Sequence, residues 1–327
     1  MRSNASKGAP QVTGILTTVI PVFGMIVLGY GFARINIIDA SAVRGLSLFV
    51  FNAALPAFLF QSTATMDMSD VAPWSMWFCF FGGAAITFFL TWIIARKIEG
   101  LNQSGSAVMC TAAIYGNLGL LGVPLALQHF GDSVGVPLAL ILSVHAPLMW
   151  TLATVHREMA RNAGNMNWGA LAWELTKSLG TNAIVLALIF GGIYRFLGLS
   201  LPPIPLKMLQ MLTDSSVPTS LIALGASLAA YSLRGSWGGM FLLIAMKMIV
   251  MPVVVFLLAR FVFPLPPLYA KIAVLFASLP AGANAFLFAQ RYDEAVPAVS
   301  GAVALGTGLA ALSASVLLYL FDAGVLG

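Results

Sequence analysis

Charge is the scarcest commodity in this chain. Only 8% of its 327 residues are Asp, Glu, Lys or Arg, against about 25% in ordinary soluble domains. Two cysteines exclude a disulfide-stapled scaffold, and Cys79 and Cys110 have no metal-ligand spacing. Both fall inside apolar runs, where they suit small core residues. Three scattered histidines and no clustered acids give no metal site. The absence of a GxxxxGK[ST] segment removes direct use of ATP. No nucleophile–base pair or paired carboxylates are present, so nothing supports an enzyme. The formal charge of +5 is not a nucleic-acid signal, because the basic residues stand singly or in pairs between apolar stretches. Tryptophan and tyrosine are sparse, but Trp74, Trp77 and Trp237 sit where interfacial anchors are expected.

What the chain has instead is apolar length. Hydrophobic residues make up 60% of it and the mean hydropathy is +0.94. The runs number ten, at roughly 14–34, 42–62, 74–95, 106–130, 134–156, 180–198, 207–230, 237–261, 269–290 and 297–321. The expected fold class is therefore an all-α membrane protein with ten transmembrane helices. Residues 1–12 are polar and expected to fray, and the first run has no cleavage-site pattern, so a retained helix is expected there. The segment 167–177 (NWGALAWELTK) is amphipathic and expected along the membrane surface.

Lys and Arg orient the spans. The amino-terminal side receives Arg2, Lys7, Arg195, Lys207, Arg260 and Lys271. The other side receives Arg34, Arg44, Arg96, Lys97, Arg157, Arg161, Lys177, Arg234 and Arg291. The tight pairs Arg96-Lys97 and Arg157/Arg161 both belong to the second set, which marks it as cytoplasmic and puts both termini outside.

The halves repeat. Asn52-x-x-x-Pro56 in span 2 recurs as Asp214-x-x-x-Pro218 in span 7, 162 residues on, and Gly116 in span 4 precedes Pro280 in span 9 by 164. Five spans per half is odd, so a second copy must enter the membrane from the opposite face. The expected arrangement is a 5+5 inverted repeat, residues 1–163 and 164–327, as in many secondary transporters. The stretch "AIYGNLGLLGVPLAL" (113–127) explains why glycine and proline crowd at mid-depth. Gly116, Gly119 and Gly122 let span 4 unwind, and Pro280 breaks span 9 because it has no N–H. Broken helices survive in a bilayer only where they line a cavity or lie inside protein. Their freed N–H groups and positive half-helix ends suit an anion, with Asn117 and Asn284 beside them. The alternative is a pair of kinked helices that pack through glycine.

The stretches "IPVFGMIVLGYGFAR", "LPAFLF", "YGNLGLLGVPLAL" and "LPAGANAFLFAQRYD" together resemble the auxin efflux carrier family, in particular its bacterial malonate or dicarboxylate branch. The resemblance implies a fold similar to that of bile-acid/sodium symporters. Helices 1, 2, 6 and 7 would be a scaffold that dimerises, and helices 3–5 and 8–10 a transport unit moving like an elevator. It also implies a small organic anion held at the crossing of helices 4 and 9 in a bacterial inner membrane. The plant carriers carry proline before asparagine at the helix 4 crossing, whereas here the pair is Gly116-Asn117. The long central loop of many plant members is absent, and auxin is not the expected substrate.

Ionisable residues inside spans are functional-site candidates by default. Asp214 suits either a coupling cation or proton, or a hydrogen-bonded scaffold network with Asn52. Lys247 wants an acidic partner, Asp214 among the choices, or an anionic ligand. His145 suits either a proton-coupling group or a satisfied core residue. His129 and His156 look like edge residues near opposite faces, and Thr307 matches His145 at the 162-residue offset. The expected substrate-binding set is Gly116, Asn117, Gly119, Pro280, Gly282, Asn284, His145, Lys247 and Thr307. The expected function is secondary transport of a malonate-like or auxin-like weak acid by alternating access, with no cofactor and with coupling to protons, sodium or neither. A sodium-coupled organic-anion symporter and an anion channel are the rivals. The expected partners are the anion, membrane lipid and a second copy of the chain, with no nucleic acid.

Overall fold

Proline and glycine decide where this apolar chain stops being regular helix. The computed structural model describes residues 5–65, 72–97, 103–162, 168–233 and 236–324, and every regular element in them is helical. The elements are α1 (Ala5–Arg34), α2 (Ala40–Thr65), α3 (Pro73–Lys97) and α4 (Gln103–Ala112). A π-turn at Leu118–Gly122 then runs into Val123–Phe130, together α5. Next come α6 (Gly135–Asn162), α7 (Trp168–Thr181), α8 (Ala183–Phe196) and α9 (Pro203–Leu228). The chain closes with α10 (Trp237–Val262), α11 (Pro267–Ser278), α12 (Ala283–Tyr292) and α13 (Val296–Asp322).

Six of the helical segments are long and apolar enough to cross a bilayer. Their outward faces carry large apolar side chains, including Phe261 (73% exposed) and Leu312 (69%). A water-soluble protein does not expose contiguous apolar surface on that scale, whereas a lipid-facing one must. The molecule is an all-α, multi-pass membrane protein.

Several local expectations change. Residues 5–12, expected to fray, continue α1, and residues 1–4 lie outside the described set. Trp77 is not a lipid anchor: its indole N–H donates to Leu140 O at 2.7 Å and ties α3 to α6. Trp74 and Trp237 do face outward. The amphipathic segment forms α7 with Trp173 exposed, and residue 167 lies outside the described set. Cys79 and Cys110 are free and buried. His129 pairs with Asp322 at 3.2 Å near the end of α13, whereas the side chain of His156 lies outside the described set.

The packing is set by small residues. α1 lies along α9 so closely that a Cβ on Gly225 would sit 1.9 Å from Ile26 O. On the facing helix a Cβ on Gly29 would sit 2.3 Å from Ile222 O. Lipid tails are as apolar as leucine, so such backbone contact, rather than a hydrophobic drive, holds helices together in a membrane. The second half of α2 packs on α8 and on α9. α4 packs on α3 and α6, and the middle of α10 packs on α11 and α3. Outside the spans, Asp39 caps α2 by accepting from Ala42 N at 2.8 Å. That bond and the Ser41 hydroxyl hold its carboxyl below its ordinary value.

Candidate functional site

The break between α4 and α5 meets the break between α11 and α12. Between α4 and α5 the chain is non-helical over 113–117, and between α11 and α12 over 279–282. There Gly116 and Ala281 form an antiparallel β-bridge. Asn117 N donates to Pro280 O and Gly282 N to Tyr115 O, both at 2.9 Å. The exchange satisfies backbone that neither water nor helix could serve at this depth. It also alters the expected donor set, because two amides thought free for a ligand are consumed by the crossing itself. The donors that remain are those that open each second half-helix: Gly119, Leu120 and Leu121 in α5, and Ala283 and Asn284 in α12. The first N–H groups of any helix have no intrahelical acceptor.

Those openings face one cavity of about 410 Å³. Gly116, Asn117, Gly119, Gly282, Asn284 and His145 all line it. So does Asn52, which reaches it from the π-turn of α2 while its amide donates to Leu48 O. Two buried polar atoms here, Asn117 Nδ2 and His145 Nε2, have no hydrogen-bond partner. Asn284 is held in place by donating from Nδ2 to Tyr115 OH at 2.9 Å. The Tyr115 ring meets His145 edge-on with centroids 5.1 Å apart.

The structure does not bring the whole expected set to the cavity. Pro280 lies behind it, supplying the bridge carbonyl. Thr307 is buried and donates to Val303 O within its own helix. Lys247 is 1% exposed, and its amine donates to the carbonyls of Phe276 and Ala277, the last turn of α11. A cation belongs at such a helix end, where carbonyls lack partners. Lys247 therefore meets carbonyls rather than a carboxylate, and Asp214 lines a different cavity. The lysine still passes directly behind the bridge: a Cβ on Gly116 would lie 3.0 Å from Lys247 Cε and 3.2 Å from Nζ. A side chain at this position would need the lysine to give way by a few tenths of an ångström.

Sequence reasoning missed Asn182, Thr181, Tyr115 and Phe51, all of which line the cavity. Asn182 breaks the chain between α7 and α8 and caps α8, accepting from Ile184 N at 2.9 Å. An asparagine just before an apolar run is a helix-start signal, and that signal was present at "TNAIVLALIF". With Asn52, Asn117 and Asn284, the cavity has four side-chain amides, and its lining holds no lysine or arginine. It can hold a small anion through neutral donors and two helix N-termini.

A multi-pass bundle with a polar cavity at crossed, interrupted helices defines the class as a membrane transporter of small molecules. The model of the membrane transport protein family matches residues 14–170 and 169–318, so the chain belongs to that family. It is 27% identical over 318 residues to the "Putative malonate transporter" of Rhizobium meliloti (strain 1021), covering 97% of this chain and 98% of that one. An "Uncharacterized transporter" of Methanothermobacter thermautotrophicus is 25% identical over 309 residues, with 92% and 96% covered. The "Lysosomal cholesterol signaling protein" of Mus musculus is 31% identical over 108 residues, 31% of this chain and 12% of that protein. The family is one of transporters and not of enzymes. Among the described residues no group of three or more His, Cys, Asp or Glu could hold a metal ion.

Proposed function

We propose that the chain is a secondary carrier of a small carboxylate anion, malonate being the first candidate, and that the anion binds in the 410 Å³ cavity. The carrying observation is the pair of buried, unpartnered nitrogens, Asn117 Nδ2 and His145 Nε2, set beside the two half-helix openings. An unpaired buried donor costs about 1–3 kcal/mol, which a ligand carboxylate would recover. Similarity to a protein named as a malonate transporter supports the choice of substrate.

The mechanism is alternating access. Ten spans in two inverted halves of five would put the breaks of spans 4 and 9 back to back. The unit of spans 3–5 and 8–10 would slide on a scaffold of spans 1, 2, 6 and 7, which also carries the contact to a second copy. Lys247, behind the bridge, would contribute positive potential without touching the anion, and Thr307 would pack beneath it. In this topology Thr181 and Asn182, on the cavity wall, follow the Arg157/Arg161 joint, so the cavity would open toward the Arg96-Lys97 side, the proposed cytoplasmic face, with both termini on the other.

The test is uptake of labelled malonate by proteoliposomes, with pH and sodium gradients varied separately. Asn117→Ala should cut uptake at least about tenfold. It removes an unsatisfied donor, so the folded yield and melting temperature should not fall. Normal transport by Asn117→Ala would refute this placement of the substrate. A channel would instead pass malonate at a rate that does not saturate.

A further inference from the structure

A second polar cavity, of about 300 Å³, lies further along α2 and α9, toward the amino-terminal side of the molecule. We propose that it is a binding site for a small hard cation, of the sodium or calcium kind. Its polar lining is oxygen-rich and contains no lysine, arginine or histidine: the carboxylates of Asp132 and Asp214, with Gln61, Ser62, Thr65 and Thr213 among the neutral groups. Hard cations choose oxygen ligands of this mixture, carboxylates completed by amides and hydroxyls.

The acids do not stand alone. Gln61 Oε1 and Thr213 Oγ1 are buried atoms with no hydrogen-bond partner. Ser62 is 3% exposed and lines the cavity. Its hydroxyl makes no hydrogen bond, whereas its helix neighbours Thr63 and Thr65 both donate back to carbonyls four residues earlier. A hydroxyl in a helix that forgoes that back-bond has another use for its lone pairs. The cavity also removes the difficulty raised by Asp214, an acid some eleven residues inside a membrane helix. It is exposed and lines this polar space, where an acid inside a membrane helix belongs.

The ligands come from two bodies. Gln61 and Ser62 sit on α2 and Asp214 on α9, whereas Asp132 sits on the one-turn 3-10 helix Gly131–Val134 that joins α5 to α6. A cation here ties the end of the crossing-bearing segment to α2 and α9. In the elevator reading above, and resting on it, that tie holds the carrier in the state with the anion cavity open on the opposite face. Cation binding itself does not depend on that reading.

The test uses full-length protein purified in detergent, without malonate, at constant ionic strength made up with choline chloride. Sodium chloride and calcium chloride are titrated separately, and the melting temperature and equilibrium binding of ²²Na⁺ or ⁴⁵Ca²⁺ are measured. A ligand that binds only the folded state raises the melting temperature saturably, and one of the two ions should do so. Asp214→Asn and Asp132→Asn should each weaken apparent affinity at least about tenfold, with Ser62→Ala a milder loss in the same direction. If Asp214→Asn does not fold, the Asp132→Asn result decides. No saturable shift with either ion, or an unchanged shift in the asparagine variants, overturns the proposal. Because malonate is absent throughout, that failure would leave the anion site standing, and loss of malonate uptake in Asn117→Ala would leave the cation site standing.

Discussion

A single buried lysine stands behind the cavity without lining it. Lys247 is among the largest fully buried side chains, and its ammonium is spent on the carbonyl end of α11. Lysine at mid-span suggests an ion pair or a ligand from the sequence, because depth alone is legible there. Which carbonyls lie within reach depends on how α10 is rotated, and no short motif records that. Replacing Lys247 with methionine keeps the apolar stem but leaves the Phe276 and Ala277 carbonyls without their donor. The expected cost is about 2–3 kcal/mol, seen as a lower melting temperature and lower folded yield. A variant that melts normally but no longer binds malonate would show instead that the charge serves the ligand. Asn117 was legible for the opposite reason: a lone polar side chain among glycines has few other uses.

The irregular turns of the helices follow one rule. The π-turns Val50–Ala54, Leu118–Gly122, Met246–Val250 and Leu258–Val262 each end two residues before a proline, at Pro56, Pro124, Pro252 and Pro264. Proline has no N–H to give the carbonyl four residues back, and its ring crowds that carbonyl, so the preceding turn widens. Proline alone does not suffice, since Pro147 and Pro218 lie inside uninterrupted α-helix. Sequence therefore marked where Asn52 and Lys247 sit on widened turns only as a propensity. It marked the breaks at 113–117 and 279–282 more strongly, through clustered glycine and Pro280. Helix crossings held by bare backbone can be probed in the same way. Gly225→Ala would thrust a methyl into Ile26 O, and α1 and α9 must part. The expected loss is about 1–3 kcal/mol, read from thermal melting, while Gly14→Ala, which meets nothing within 4 Å, should be neutral.

At the level of the whole molecule, hydropathy marked the all-α membrane class, because bilayer thickness dictates the length of an apolar run; among the described residues six segments reach that length. It was silent on which non-adjacent spans touch. That is why Asn182, 37 residues from His145 and 65 from Asn117 on the same cavity wall, went unnoticed. Asn182, on the cavity wall, gives a test of sidedness. In Asn182→Cys, an impermeant thiol reagent should label the protein from the cytoplasmic face only, and malonate should slow the labelling. The natural Cys79 and Cys110 are fully buried and should stay silent. Labelling from the outer face would reverse the proposed orientation.

The bridge between Gly116 and Ala281 has one more consequence. Tyr115 and Pro280 lend their carbonyls to each other's strand, so neither length of chain can peel away without stranding a donor of its counterpart in oil. The pocket floor is thus one stitched patch made from two distant stretches of chain. Neither stretch can shift without drawing the other along.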